Sequence, residues 1–122
     1  MEGLTSTIGL TSRANTIIKK DCPLIIAIKN AGMIPFIKTN LPQLAMNFDS
    51  NNFLWGRACN PWNKNKSVGG SSGGEAAALA ARMSLIGVGN DIGGSLRIPA
   101  AFCGIASLLS GQGRIPMMNS VT

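Results

Sequence analysis

The strongest constraint on this chain is a run of six small residues, Gly69-Gly70-Ser71-Ser72-Gly73-Gly74. It opens directly onto Glu75-Ala76-Ala77-Ala78-Leu79-Ala80-Ala81-Arg82-Met83, a stretch with close to the best helix-forming composition available. Glu75 near the helix start complements the positive end of the helix dipole. A second tight turn, Asp91-Ile92-Gly93-Gly94-Ser95, precedes a helix predicted from Leu96 to Cys103. Both loops therefore place a serine at a helix N-terminus, where backbone N–H groups lack partners. Their glycines let the backbone come close to a ligand.

Three simple readings of these loops fare unequally. Loop punctuation stays open. A phosphate cradle would need G-x-x-x-x-G-K-[ST], which does not occur. Gly69-Gly70-Ser71-Ser72-Gly73 fits the G-x-S-x-G nucleophile elbow, but that elbow needs a later histidine and the chain has none. The absence of histidine also excludes Ser-His-Asp and Cys-His catalysis and every His-bearing zinc site. The absence of tyrosine excludes a phenolic acid.

At 122 residues the chain is expected to form one domain at most. It is 45% hydrophobic and 13% charged, too apolar for a disordered chain. The net charge of +6 comes from scattered basic residues that form no stripe interleaved with aromatics, so no nucleic-acid partner is expected. Cys22, Cys59 and Cys103 are widely spaced and form no C-x-x-C pair, which predicts reduced thiols, with Cys103 a small core residue. Met1 to Thr5 lacks the pattern of a signal peptide, and the apolar stretch Met83 to Asn90 falls far short of the ~20 residues of a membrane span.

Upstream, Asp21-Cys22-Pro23 reads as a helix start with Asp21 as N-cap, and Ala31-Gly32 as its stop. Met33 to Lys38 and Leu85 to Gly89 read as strands, the second buried. Pro42 to Met46 could open a short helix, and Asp49 to Lys66 has loop composition. The alternation of helices and strands predicts α/β layering.

Beyond these readings, the sequence resembles the amidase signature family. The likeness rests on Gly69-Gly70-Ser71-Ser72-Gly73-Gly74-Glu75 and on Gly89-Asn90-Asp91-Ile92-Gly93-Gly94-Ser95-Leu96-Arg97-Ile98-Pro99-Ala100. Ser71 and Ser95 stand 24 positions apart, the family's spacing. Asn30 to Asn40 is similar to the family's helix-to-strand segment, and Asn60-Pro61-Trp62 to its pre-motif loop. Within the family the chain looks most like the fatty acid amide hydrolases, through Thr39-Asn40-Leu41-Pro42-Gln43, Glu75 and Ile92. The amidase component of transfer-RNA-dependent amidotransferases is the alternative within the family.

The resemblance implies a partial α/β amidase-signature fold over 1–122, a mixed sheet flanked by helices and truncated at both ends, with the signature region at 66–104. It implies hydrolysis of a small-molecule amide, without metal or cofactor, by a Ser-cisSer-Lys mechanism. Ser95 would be the nucleophile and Ser71 the bridging serine in a cis peptide. The N–H groups of Ile92, Gly93, Gly94 and Ser95 would form the oxyanion hole. Ala45 and Met46 fall where fatty-amide enzymes line their acyl channel, with Ser71 also at the substrate. Ser72, Asp91 and Arg97 would give structural support. Matching Thr5 to Leu10 places the lysine a few residues before Met1, and none of the six lysines present sits in its motif. The chain alone is therefore expected to be incomplete and inactive, or else a non-catalytic paralogue that binds an acyl ligand or a protein. A homodimer, and a cytoplasmic or membrane-associated location through segments outside this chain, are carried over as expectations for the full-length family.

Overall fold

The computed structural model describes residues 1–115. Of the expected domain 1–122, residues 116–122 lie outside the described part. The chain divides into two compact units, one of residues 1–7, 11–38 and the described residues from 110 onward, the other of 8–10 and 39–109.

In the first unit, helix α1 spans Pro23–Asn30. Proline suits the first turn because the N–H it lacks would be unpaired there. The N-cap is Cys22, without a side-chain cap, and not Asp21. Asp21 is engaged elsewhere: its carboxylate pairs with Lys29 Nζ at 2.5 Å and accepts the Glu2 N–H at 2.7 Å. The Lys29 ammonium is the main cause that lowers the Asp21 pKa. The helix ends where Gly32 turns left-handed at φ +79°. Gly32 N–H then returns to Lys29 O and Met33 N–H to Ile28 O, the paired bonds of a Schellman stop.

The second unit holds the serine loops. Helix α2 spans Gly73–Ala80 and helix α3 spans Arg97–Cys103. Alanine at 76 and 78 lets α2 bury its backbone closely. Its stop repeats the α1 pattern with Arg82, at φ +59°, in place of glycine: Arg82 N–H reaches Leu79 O and Met83 N–H reaches Ala78 O. Helix α3 ends on left-handed Gly104, and Ile105 N–H closes onto Ala100 O. The core between them is small: Val68, Ala76 and Cys103, with Ala58, Ala77, Ala80 and Ile105 packed around it. Cys103 is fully buried.

The expected helix over Pro42–Met46 is a single 3-10 turn, Gln43–Ala45, interrupted by Leu44 at φ +57°. Within the loop-like stretch 49–66, strands β1 (Asn51–Asn52) and β2 (Gly56–Arg57) form a short antiparallel hairpin. Asn52 Oδ1 shapes its tip by accepting the N–H groups of Leu54 and Trp55.

The predicted strands do not form ladders. Residues 33–38 and 85–89 run without regular structure, and the only named sheet among the described residues is β1–β2. The second was expected to be buried, yet Leu85 is fully exposed and Ile86 and Val88 are exposed as well. Ile34, Phe36 and Ile37 of the first are likewise exposed. β-branched composition favours a strand only when a neighbour takes up its N–H and C=O groups and one face is covered. Neither segment has such a neighbour among the described residues.

Candidate active site

Ser71 is 6% exposed and Ser95 half-buried. The two loops that carry them are tied directly: Ser72 N–H donates to Ser95 O at 3.0 Å. The Gly70–Ser71 peptide bond is cis.

The first loop is fixed from three sides. Gly74 N–H donates to Asn40 O at 3.0 Å, and Gly69 N–H to Ser67 Oγ at 3.0 Å. Beneath the loop lies Ser50, with no exposed surface. Its Oγ accepts the Gly73 N–H at 2.9 Å and directs its single proton to Gly69 O at 3.0 Å and Ser71 O at 3.2 Å. The glycines are required by this closeness. A Cβ on Gly74 would fall 2.5 Å from Asn40 O, and one on Gly70 would fall 2.6 Å from Asn47 O.

The second loop is wrapped around one carboxylate. Asp91 Oδ1 accepts the Gly94 N–H at 2.6 Å, and Oδ2 accepts the N–H groups of Leu96 at 3.0 Å and Arg97 at 3.2 Å. Arg97 adds a two-pronged ion pair, Nε to Oδ2 and Nη2 to Oδ1, both at 3.0 Å. The Asp91 side chain has no exposed surface, whereas that of Arg97 is 60% exposed. The Arg97 guanidinium holds the Asp91 carboxyl far below the usual carboxylate range, helped by the three backbone N–H groups and opposed by burial. Asp91 in turn raises the Arg97 pKa.

Of the four N–H groups assigned to an oxyanion hole by resemblance, that of Gly94 is therefore taken by Asp91. Those of Ile92, Gly93 and Ser95 have no protein acceptor among the described residues. Ile92 is 94% exposed, and Gly93 has open space around its α-carbon. Ser72 Oγ approaches Asn90 O at 3.5 Å, the outer limit of a hydrogen bond. Ala45 and Met46 lie at the end of the interrupted 3-10 turn, both exposed, Met46 at 83%. Lys38 belongs to the other unit. There its Nζ donates to Thr5 O at 2.6 Å, and partial desolvation lowers its pKa.

Sequence reasoning did not find Ser50, the residue that touches the first loop at the most points; it sits in a stretch that reads only as loop. It also assigned Glu75 to the helix dipole alone. Glu75 in fact joins two segments, accepting Thr39 Oγ1–H at 2.7 Å and Val88 N–H at 3.1 Å. Asn60 and Trp62 brace α3: Asn60 Nδ2 donates to Ser67 O and Phe102 O, and Trp62 Nε1 donates to Cys103 O at 2.7 Å.

Comparison with known proteins agrees with this geometry. The chain is 46% identical over 114 residues to fatty-acid amide hydrolase 1 of Sus scrofa, covering 93% of this chain and 20% of that protein. It is 44% identical over 116 residues to human fatty-acid amide hydrolase 2, covering 95% and 22%. Among solved structures, a 6-aminohexanoate cyclic dimer hydrolase complexed with substrate superposes with a TM-score of 0.82 at 36% identity, over 84% of this chain and 22% of that one. A glutamyl-tRNA(Gln) amidotransferase chain from Thermotoga maritima gives 0.81 at 34%, over 84% and 23%. The chain thus spans about a fifth of the length of the curated relatives it matches. No helix among the described residues is long and apolar enough to cross a membrane. The amidase family model matches residues 1–121, and with its two serine loops joined in this way the chain belongs to the amidase signature family.

Proposed function

We propose that this chain is the nucleophile-bearing part of a serine amidase that hydrolyses a fatty acid amide or a related carboxamide. The observation that carries the reading is the junction of the two loops. The Ser72–Ser95 backbone bond brings the loop of buried Ser71 against that of Ser95, beside backbone N–H groups with no other acceptor among the described residues. Amide hydrolysis needs a nucleophile, a route for its proton and donors for a developing oxyanion. The two loops carry the first, part of the second, and the third.

In this reading Ser95 Oγ attacks the amide carbonyl carbon. Negative charge forms on the carbonyl oxygen and is met by the N–H groups of Ile92, Gly93 and Ser95. Losing one such donor typically costs about 100- to 1000-fold in rate. The Ser95 proton passes through the Ser71 hydroxyl to a neutral lysine and then to the leaving amine as the C–N bond breaks. Water releases the acid from the acyl-serine and regenerates Ser95. Lysine titrates near ~10.4 when free, so the accepting lysine must be desolvated. None of the six lysines present stands in the family's lysine motif, and this chain alone is expected not to turn over.

A fluorophosphonate probe tests the assignment. Mass mapping should place the adduct on Ser95, with no adduct there in Ser95→Ala. Steady amide hydrolysis by the purified chain, lost in Ser95→Ala, would overturn the requirement for a lysine from elsewhere. Absence of any serine adduct would overturn the reading of the site.

A further inference from the structure

We infer that Ser50 is a positioning residue for Ser71, acting through the backbone of the loop rather than on substrate. The inference rests on the amidase reading above. Ser50 has no exposed surface, so it cannot meet a substrate directly. Its one hydroxyl makes three contacts within a five-residue span, to Gly69 O, Ser71 O and Gly73 N–H. These contacts bracket Ser71 on both sides in sequence and include its own carbonyl.

The rest of the residue is also fixed. Ser50 O accepts the Ala58 N–H at 2.9 Å, which anchors it beside the β1–β2 hairpin. A Cβ on Gly73 would fall 2.6 Å from Val68 Cγ1 and 2.8 Å from Ser50 Cβ, so loop and hub are already in close contact. The Ser50 hydroxyl thus meets both the carbonyl side and the amide side of the Ser71 turn. By holding the Ser71 carbonyl, Ser50 fixes the backbone from which the Ser71 side chain projects. A proton relay depends steeply on such placement: an error of about 1 Å can cost on the order of 100-fold. Removal of the Ser50 hydroxyl leaves the fold's apolar contacts intact but releases the turn.

The test compares the chain with Ser50→Ala and Ser50→Cys, the cysteine keeping a weak donor and acceptor at the same point. The readout is the rate of Ser95 phosphonylation by a fluorophosphonate, a single labelling event that needs no lysine: the serine O–P bond forms, the P–F bond breaks with loss of fluoride, and the Ser95 proton passes through the Ser71 hydroxyl to solvent. It is measured at a temperature where circular dichroism shows every variant fully folded, so that a merely structural role leaves it unchanged. Expected are a rate about 10- to 100-fold lower in Ser50→Ala and partial recovery in Ser50→Cys. An unchanged rate in folded Ser50→Ala overturns the positioning role while leaving the amidase reading intact. Should Ser50→Ala fail to fold, equal rates for the wild type and Ser50→Cys at every pH also overturn it, because the weaker sulfur bonds must show some loss. No adduct on Ser95 of the wild type overturns the amidase reading and this inference with it.

Discussion

Replacing Asp91 by asparagine changes one atom and should weaken the second unit measurably. The carboxylate serves five donors, and an amide oxygen can stand on only one side of it. Placed at the Oδ2 position, it keeps the Leu96 and Arg97 N–H groups and sets the amide NH2 against the Gly94 N–H and Arg97 Nη2. The Gly94 bond is the short one, 2.6 Å, and its partner carboxylate has no exposed surface. A buried donor left without an acceptor costs about 1–3 kcal/mol. The ion pair adds little, because solvent screens an Arg97 side chain that is 60% exposed. The expected loss is therefore about 1–3 kcal/mol, nearly all of it from Gly94. Urea unfolding followed by tryptophan fluorescence suits the measurement, since Trp62 is bonded to the end of α3. With a slope of about 2 kcal/mol/M, the midpoint should fall by roughly 0.5–1.5 M. The difference also has a definite pH dependence. A carboxyl held lower in the folded chain than in the unfolded one stabilises fully above its unfolded value near ~4 and loses that contribution as pH falls towards the folded value. The gap between wild type and Asp91→Asn should thus be flat from about pH 5 to 8 and narrow below about pH 4. A midpoint shift under about 0.3 M, or a gap that widens in acid, would refute the argument that the carboxylate organises this loop.

Two further outcomes test the packing. Gly74→Ala should cost about 1–3 kcal/mol or more, because the new methyl meets the Asn40 backbone, which also holds the Gly74 N–H and cannot withdraw cheaply; thermal unfolding reads it. In an aromatic-disulfide thiol assay at neutral pH, exposed Cys59 should react first, and Cys103 only after urea is added, since burial hides its thiol and raises its pKa.

What the sequence disclosed and what it hid divide along a physical line. The first helix's stop and the second helix's body were legible because they depend on local chemistry, Gly32 in the left-handed region and alanines from 76 onward, whereas the end of the second helix at Ala80, with Arg82 left-handed in place of a glycine, was not. The serine loops were legible because glycine is needed wherever backbone meets backbone, so the requirement is written in the residue type itself. The Asp21 cap was misread because Lys29 and the Glu2 N–H compete for the same carboxylate, and composition does not rank such competitors. The strands at 33–38 and 85–89 were misread for a different reason. Their apolar, β-branched composition records what should cover them, whereas a ladder exists only where that cover is present.

Ser50 shows the limit most clearly. A single hydroxyl in a loop-like run has no signature, because its role is set entirely by three backbone groups 19 to 23 positions away in sequence. Glu75 is the same case in milder form, joined to Thr39 and Val88 across 36 and 13 positions. In both, the polar atom is placed by the fold before it can place anything else. A motif search therefore finds residues whose backbone must be special, such as Gly70 and Gly94, and passes over the side chains that hold that backbone still. In this chain the first group marks the two serine loops, and the second holds the backbone of those loops in place.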